Sequence, residues 1–245
     1  MKKIYFTALV LLLTFIDANA QQDPQYTQYM YNLNVINPAY AGFKENLSFG
    51  LLYRKQWVDI EDSPTTMTFS GSTPVGKNVG IGLNVISDKI GPSEATTVNA
   101  DFSYTLDLGG EHKLAFGLKA GATLLNVNMS NITNTLPDAD DPAFSENINK
   151  TNPTIGAGLF YSAEKYYISF AVPNMIQSTY LDINQGGEVS TYGEADIQYY
   201  LSGGYVFDLN PNLKFKPTVM LKSAFNVPVS IDLTANFLIQ EKLEL

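Results

Sequence analysis

The sequence contains no cysteine and a single histidine, and these two shortages exclude several classes of function. Without cysteine the chain can form no disulfide framework, zinc knuckle or thiol nucleophile. His112 follows Gly109, Gly110 and Glu111 in a predicted turn, where we expect a solvated side chain and not a catalytic base. We find no catalytic set and no cofactor site, and we therefore expect a protein that is not an enzyme.

Charged residues are also scarce, at 16% of the chain, and their formal net charge is −9. A nucleic-acid-binding surface needs clustered Lys and Arg, and no basic run here is longer than a pair such as Lys2-Lys3. We expect no nucleic-acid partner and no small-molecule substrate. Hydrophobic residues make up 45% of the chain, so a membrane would suit this composition better than water would.

Long apolar runs are absent except for Ile4 to Ile16, which follows Lys2-Lys3 and precedes Ala18-Asn19-Ala20. A basic start, a short apolar run and a small-x-small site are typical of a signal peptide, here residues 1–20 with cleavage after Ala20. The run is shorter than the roughly 20 residues that cross a bilayer. With no later run of that length, a mature membrane protein must be a closed β-barrel.

The chain after residue 20 alternates between apolar and polar or small residues with a period of two, which is typical of β-strands. The pattern predicts an all-β fold, an antiparallel transmembrane β-barrel with about ten visible strands and about 12 to 14 in the complete protein. The predicted strands are 46–57, 65–73, 78–87, 95–106, 113–126, 153–162, 166–173, 196–207, 213–224 and 229–239.

The predicted connections differ in length between the two ends of the barrel. Those at one end are short, at residues 74–77, 107–112, 162–165 and 208–212, whereas the other end includes the long links 127–152 and 174–195. Outer-membrane barrels have short periplasmic turns and longer external loops. We therefore expect the two long links to be external, and residues 21–45 to be a periplasmic lead-in or plug before a barrel at 46–245.

Aromatic and charged residues fit this topology. Aromatic residues near predicted strand ends are candidates for an interfacial girdle: Trp57, Tyr104, Tyr161, Tyr166, Tyr167, Tyr199, Tyr200 and Tyr205. The predicted interior carries charges of both signs, which favours internal ion pairs over an ion-selective pore: Arg54, Asp101, Lys119, Lys216, Lys222 and Asp232.

The acidic stretch Pro137 to Pro142 lacks EF-hand spacing, so a solvated loop is favoured over a calcium site, and we assign no metal ligand.

Several unusual strings occur in the first hundred residues. In chain order they are DPQYTQYM at 23–30, NPAYAG at 37–42, YRKQW at 53–57, SPTT at 63–66, VGIG at 79–82 and DKIGP at 88–92. By these strings the chain resembles the PorP/SprF family of the type IX secretion system. The resemblance implies an integral outer-membrane protein of Bacteroidota that is not an enzyme. It also implies protein partners, namely secretion-machine subunits or a large adhesin used in gliding.

The segment from Asp23 to Gly42 is the most distinctive candidate for a functional contact, and we expect residues 37–42 to form a specific turn. A plug, a periplasmic handle and a simple lead-in are all open interpretations of this segment. The candidate partner-contact residues are Asp23, Pro24, Gln25, Tyr26, Gln28, Tyr29, Asn37, Pro38, Tyr40, Gly42, Arg54 and Trp57.

The end of the sequence resembles the start of a further strand, at residues 240–245. We therefore expect one or more closing strands to be missing from this chain. A diffusion channel for small solutes and a soluble, secreted β-sandwich with a binding role are the competing functions. Conductance in planar bilayers would favour the channel, and extraction into buffer without detergent would favour the sandwich.

Overall fold

A computed structural model describes residues 32–44, 46–60, 62–128, 147–185, 188–225, 227–240 and 242–244, and for 178–195 and Val227 only the backbone. The predicted signal peptide, the acidic stretch at 137–142 and the candidates between Asp23 and Tyr29 lie outside the described residues. Within the described part of the chain, no helix has both the length and the apolar character needed to cross a bilayer.

Strands dominate the described residues. They are β1 (Ser48–Lys55), β2 (Thr65–Val75), β3 (Val79–Ile90), β4 (Ser93–Gly109), β5 (His112–Val127), β6 (Ile148–Ser162), β7 (Tyr166–Val172), β8 (Ser178–Gln185), β9 (Glu188–Ala195), β10 (Gln198–Tyr205), β11 (Phe207–Asn210), β12 (Leu213–Ala224), β13 (Val227–Ile239) and β14 (Leu243–Glu244). A single α-helical turn, α1 (Leu33–Ile36), and a 3₁₀-helix (Pro38–Tyr40) precede them.

The strands form a 12-stranded antiparallel sheet whose hydrogen-bonded order runs β1-β2-β3-β4-β5-β6-β7-β10-β12-β13-β14, with β11 on β12. This meander confirms the predicted all-β class. All ten predicted strands are present, and several are longer than predicted because ladder pairing continues through polar residues, as in β4.

One predicted loop is wrong in detail. Residues 174–195 were expected to be a long external link, but they contain the hairpin β8–β9, which forms a separate two-stranded sheet. The alternation in this stretch is too polar to mark it as strand in the sequence. β6 also begins earlier than predicted, at Ile148, so the preceding link narrows to residues 128–147.

The sheet has its apolar face outward. The outward side chains of β5 from Leu114 to Leu124 are all apolar, and Phe116, Leu118 and Leu124 are 44%, 63% and 52% exposed. At a rise of about 3.3 Å per residue this stretch covers about 33 Å of strand, or about 25 Å when the strand is tilted by about 40°. That height equals the apolar band of an outer-membrane barrel. Neighbouring strands present the same face with Phe69, Ile81, Leu83, Val98, Phe102, Ile155, Leu159, Ile168, Phe170, Leu201 and Val219.

The opposite face of the sheet is buried and mostly polar. Its buried side chains include Thr68, Ser70, Ser72, Asn84, Asn99, Asp101, Ser103, Lys119, Thr154, Ser169, Ser202, Thr218, Lys222 and Asn236. A soluble protein buries its apolar side chains, because burial removes them from water. The reversed arrangement is stable where the outer face meets lipid and the inner face is filled by the protein itself.

Candidate functional site

Residues 32–44, which we call the inner segment, lie against the inner face of the sheet. Within the segment Leu33, Val35, Ile36, Ala39 and Ala41 are at most 4% exposed. The segment contacts strands from β1 to β12, so the sheet must curve around it, since a flat sheet would place those strands far beyond its reach. Among the described residues, the inner segment is therefore a site at which strands distant in sequence converge.

Asn37 and Pro38 determine the local fold of the segment. The Asn37 side chain accepts a hydrogen bond from the Ala39 backbone N–H at 2.9 Å and so caps the 3₁₀-helix. Pro38 follows at the first helical position, where its fixed φ and missing N–H cost nothing. This pair explains the predicted specific turn at residues 37–42, and the structure confirms that turn.

The same Asn37 side chain fastens the segment to the sheet. Its Nδ2 donates to the Leu159 carbonyl and to Ser169 Oγ, both at 2.8 Å. Asn37 is 0% exposed, so water cannot replace these partners. One side chain therefore orients the turn and joins it to β6 and β7.

Small residues on the sheet allow the segment to approach closely. A Cβ built on Gly117 would collide with the backbone of Pro38 and Ala39, and one on Gly158 would collide with the Asn37 side chain. Gly42 has a φ of +66°, and its Cβ would also meet the backbone of the sheet, so only glycine fits there. The glycines thus allow the segment to pack directly against the backbone of the sheet.

Polar side chains of the sheet satisfy the segment's backbone. Lys119 Nζ donates to the Val35 carbonyl and lies 3.7 Å from Asp101 Oδ1, and both charged side chains are at most 1% exposed. Ser103 Oγ donates to the Ala41 carbonyl at 2.6 Å. Asn84 Nδ2 donates to Asp101 and, at 3.3 Å, to the Asn34 carbonyl. These contacts link the segment to β3, β4 and β5.

Apolar contacts complete the packing in two clusters. Ile36 packs with Ala171, Tyr200 and Met220 from β7, β10 and β12. Leu33 and Ala39 pack with Ala115 and Phe160, and three partly buried aromatic residues flank them: Tyr40, Phe43 and Tyr167. The Phe160 ring centroid lies 5.1 Å from that of Tyr40 and 4.8 Å from that of Phe43, both in edge-on geometry, which suits the aromatic quadrupole.

The predicted partner-contact residues fall at two separate places. Asn37, Pro38, Tyr40 and Gly42 lie together in the inner segment, where Asn37 and Pro38 are fully buried. Arg54 is half-buried near the far end of β1, and Trp57 follows that strand with 65% of its surface exposed. The structure does not bring these two groups together.

A row of aromatic rings crosses the outer face at the end of the short turns. Neighbouring ring centroids lie 4.5 to 6.4 Å apart along the series His112, Tyr161, Tyr166, Tyr205, Phe207, Phe215 and Phe237. His112 Nδ1 also lies 2.7 Å from the Tyr161 hydroxyl, so this histidine belongs to the row. Two predicted girdle residues are placed differently, since Tyr167 packs on Phe160 and Tyr200 is 5% exposed on the inner face.

The predicted interior charges divide into three groups. Asp101 and Lys119 form a buried ion pair, as the mixture of signs predicted. Lys222 is buried with its Nζ 5.7 Å from the Tyr200 ring centroid, and Arg54 and Lys216 are half-buried. Asp232 also lies on the inner face, opposite buried Met220 of β12, but it is exposed because β13 lies near the end of the sheet.

Sequence analysis missed the residues that receive the inner segment, chiefly Asn84, Ser103, Gly117 and Gly158. Their pattern contained one signal, because small and polar residues recur on one face of β3 to β6 where a barrel interior needs volume. That signal indicates a close approach of backbone without identifying what approaches.

One comparison with known proteins places the chain. The model of the family described as type IX secretion system membrane protein PorP/SprF matches residues 18–245. No protein in the curated set matches the chain. The family match covers nearly the whole chain, and it therefore confirms the resemblance seen in the motifs of the first hundred residues.

Proposed function

The chain belongs to the PorP/SprF family of type IX secretion system membrane proteins, and from this premise we propose a specific role for it. It is a non-catalytic outer-membrane barrel that assists secretion of a partner adhesin or holds that adhesin at the cell surface. The family consists of secretion-system components and not of enzymes, and such components work with protein partners in the machinery.

The outward apolar face is the observation that carries the proposal. Large apolar side chains are exposed on strand after strand, while polar side chains fill the buried face. Exposed apolar area of this extent is costly in water and favourable in lipid. The row of rings from His112 to Phe237 supports the same placement, because aromatic residues are enriched where lipid meets water.

The inner segment acts in this proposal as a plug. Residues 1–20 are the signal peptide, residues 21–45 are the plug segment, of which the structure describes 32–44, and residues 46–245 form the barrel. The extensive contacts of Asn37, Lys119 and Ile36 favour a filled interior over a diffusion channel. The folded protein is therefore expected to show no steady conductance in planar bilayers, and sustained open-channel currents would favour the channel.

The proposed orientation puts the short turns in the periplasm and the longer links outside. On this orientation Trp57, the links 56–64 and 128–147, and the hairpin β8–β9 face the exterior, where an adhesin would bind. Trp57 is the strongest of the described contact candidates because its large side chain is 65% exposed. Asn37 and Pro38 serve partner binding only indirectly, by holding the plug.

Cysteine labelling on intact cells tests this orientation. Because the chain has no native cysteine, only the introduced thiol can react with the label. Val58→Cys and Thr133→Cys should react with a membrane-impermeant maleimide on intact cells. Lys77→Cys and Asn212→Cys should react only after the outer membrane is permeabilised. The opposite result would invert the topology, and equal labelling of all four before and after permeabilisation would contradict a membrane-spanning protein.

Deletion of the gene in its host tests the role. The deletion strain should lose a secreted adhesin from its surface, and the wild-type chain should restore it. A tagged, folded wild-type chain should also capture that adhesin or its secretion machine from detergent extracts. An unchanged set of surface proteins together with no captured partner would contradict the proposal.

A further inference from the structure

A cavity of about 380 Å³ opens on the inner face of the sheet at the end of the short turns. Its floor is the last part of the inner segment, Gly42 and Phe43, and its walls come from β2 to β5. The wall residues Thr105, Asp107 and Lys113 share the inward side of their strands with buried Ser103 and Ala115. The cavity, which we call the mouth pocket, therefore faces the barrel interior and the compartment beyond the turns, away from the lipid.

The mouth pocket is locally cationic in a chain whose formal net charge is −9. Lys77 and Lys113 both line it, and neither forms an ion pair or side-chain hydrogen bond with the described residues. Asp107 is the acidic residue of the lining, and its Oδ1 accepts the Gly109 backbone N–H at 2.9 Å within the turn. Asp107 lies directly opposite Lys113 in the β4–β5 ladder, so the two lysines and one aspartate give the lining a net charge of +1, with Lys77 on the turn between β2 and β3.

Phe43 gives the pocket a rigid apolar floor. Its ring lies 5.5 Å from that of Tyr40 and 4.8 Å from that of Phe160, so the inner segment and β6 fix its position. Gly42 and Gly80 add no side chain to the space beside it. A volume in the range of about 300 to 1,000 Å³, apolar surface and a few placed charges are typical of ligand sites.

We propose that the mouth pocket binds an acidic peptide segment of a protein partner on the side of the short turns. Lys77 and Lys113 bind carboxylates of that segment, and Phe43 contacts an apolar side chain between them. This inference rests on the proposed function, which places the short turns in the periplasm and supplies protein partners. Because the inner segment forms the floor, the partner would contact the plug as well as the wall.

The test uses the full chain, folded in detergent, and a fluorescein-labelled peptide of sequence Gly-Glu-Leu-Glu-Leu-Gly. Its neutral counterpart replaces both Glu residues with Gln. Fluorescence anisotropy should show the acidic peptide binding about tenfold or more tightly than the neutral one, as expected for charge-assisted pairs. The double variant Lys77→Gln/Lys113→Gln should lose that preference.

The matched control is Lys55→Gln/Lys89→Gln, which removes the same charge from two exposed lysines at the opposite end of the sheet. It should leave the acidic peptide's affinity within about twofold, because charges more than about 10 Å apart are screened at moderate salt. An equal loss in both double variants would show bulk attraction and overturn the proposal. Equal binding of the two wild-type peptides would overturn it too.

Two further readouts separate the possible failures. If inorganic phosphate displaces the peptide and is itself bound by the protein, the mouth pocket is a general anion site. That result would overturn the peptide proposal. Heat-modifiable gel mobility reports whether each chain is a folded barrel. A wild-type chain that is folded and inserted but binds no acidic peptide contradicts the mouth pocket alone, whereas a chain that never enters membranes contradicts the proposed function.

Discussion

Lys119 and Asp101 are opposite charges held 3.7 Å apart, with side chains no more than 1% exposed. Lys119 also donates to the Val35 carbonyl of the inner segment, and Asp101 accepts from Asn84 of β3, so the segment supplies one of the hydrogen-bond partners of the buried lysine. Removing one member of such a pair leaves the other charge buried without a counter-ion. The free energy of unfolding then falls by more than when both charges are removed. The pair therefore ties the stability of the wall to the presence of the segment.

Lys119→Met should lower the free energy of unfolding by about 3 to 5 kcal/mol, because it leaves the Asp101 carboxylate buried without its counter-ion. The double variant Asp101→Asn/Lys119→Met should recover part of that loss. Urea-dependent loss of the fast-migrating gel form measures both. Lys89→Met, at an exposed lysine of β3, is the matched control and should stay within about 0.5 kcal/mol of wild type. Additive losses in the double variant would contradict a coupled pair.

Sequence reasoning identified both charges as interior residues, because their positions alternate with apolar neighbours in β4 and β5. It could not pair them with each other or with Val35, since the strand register and the approach of a segment 84 residues away are non-local. Alternation likewise predicted ten strands, while the polar hairpin β8–β9 gave no such signal. The candidate site depends on contacts across the curved sheet, and period-two patterning contains no information about them.

At the scale of elements, the inner segment is positioned by strands that lack side chains where it touches them. Gly117 of β5 faces the backbone of Pro38 and Ala39, and Gly158 of β6 faces Asn37. These strands could pack against each other with larger residues, so their glycines reflect the segment and not the sheet. A side chain at either glycine should therefore displace the segment before it disturbs the ladder.

Gly117→Ala should lower the unfolding free energy by about 1 to 3 kcal/mol and displace the inner segment, because the new methyl group would collide with the backbone of Pro38 and Ala39. Displacement of the segment should appear as conductance steps in planar bilayers that wild type lacks. The control is Gly71→Ala on β2, where the nearest atom, 3.2 Å from the new methyl, belongs to the Phe49 side chain. A silent Gly117→Ala protein with wild-type stability would contradict tight seating.

At the scale of the molecule, the surface around the curved sheet decides which solvent the fold requires. Apolar residues face outward on β1 to β7, β10, β12 and β13, and the aromatic row from His112 to Phe237 marks one edge of this surface. The inner segment packs against the buried face. No element of the described chain covers the outer face. Lipid can cover its apolar side chains, because the backbone N–H and C=O groups beneath them are paired within the sheet.

Leu118→Lys separates a membrane barrel from a soluble sheet, because Leu118 is 63% exposed near the centre of the apolar stretch of β5. In water this exchange should change stability by no more than about 0.5 kcal/mol. In a bilayer a lysine at mid-depth costs about 2 to 4 kcal/mol, so insertion into lipid vesicles should fall steeply. Phe225→Lys is the matched control, since Phe225 is 84% exposed beyond the end of β12, where a lysine should cost about 1 kcal/mol or less. Vesicle insertion scored by heat-modifiable mobility should drop for Leu118→Lys and persist for Phe225→Lys, and equal insertion of both would mean that this face does not meet lipid.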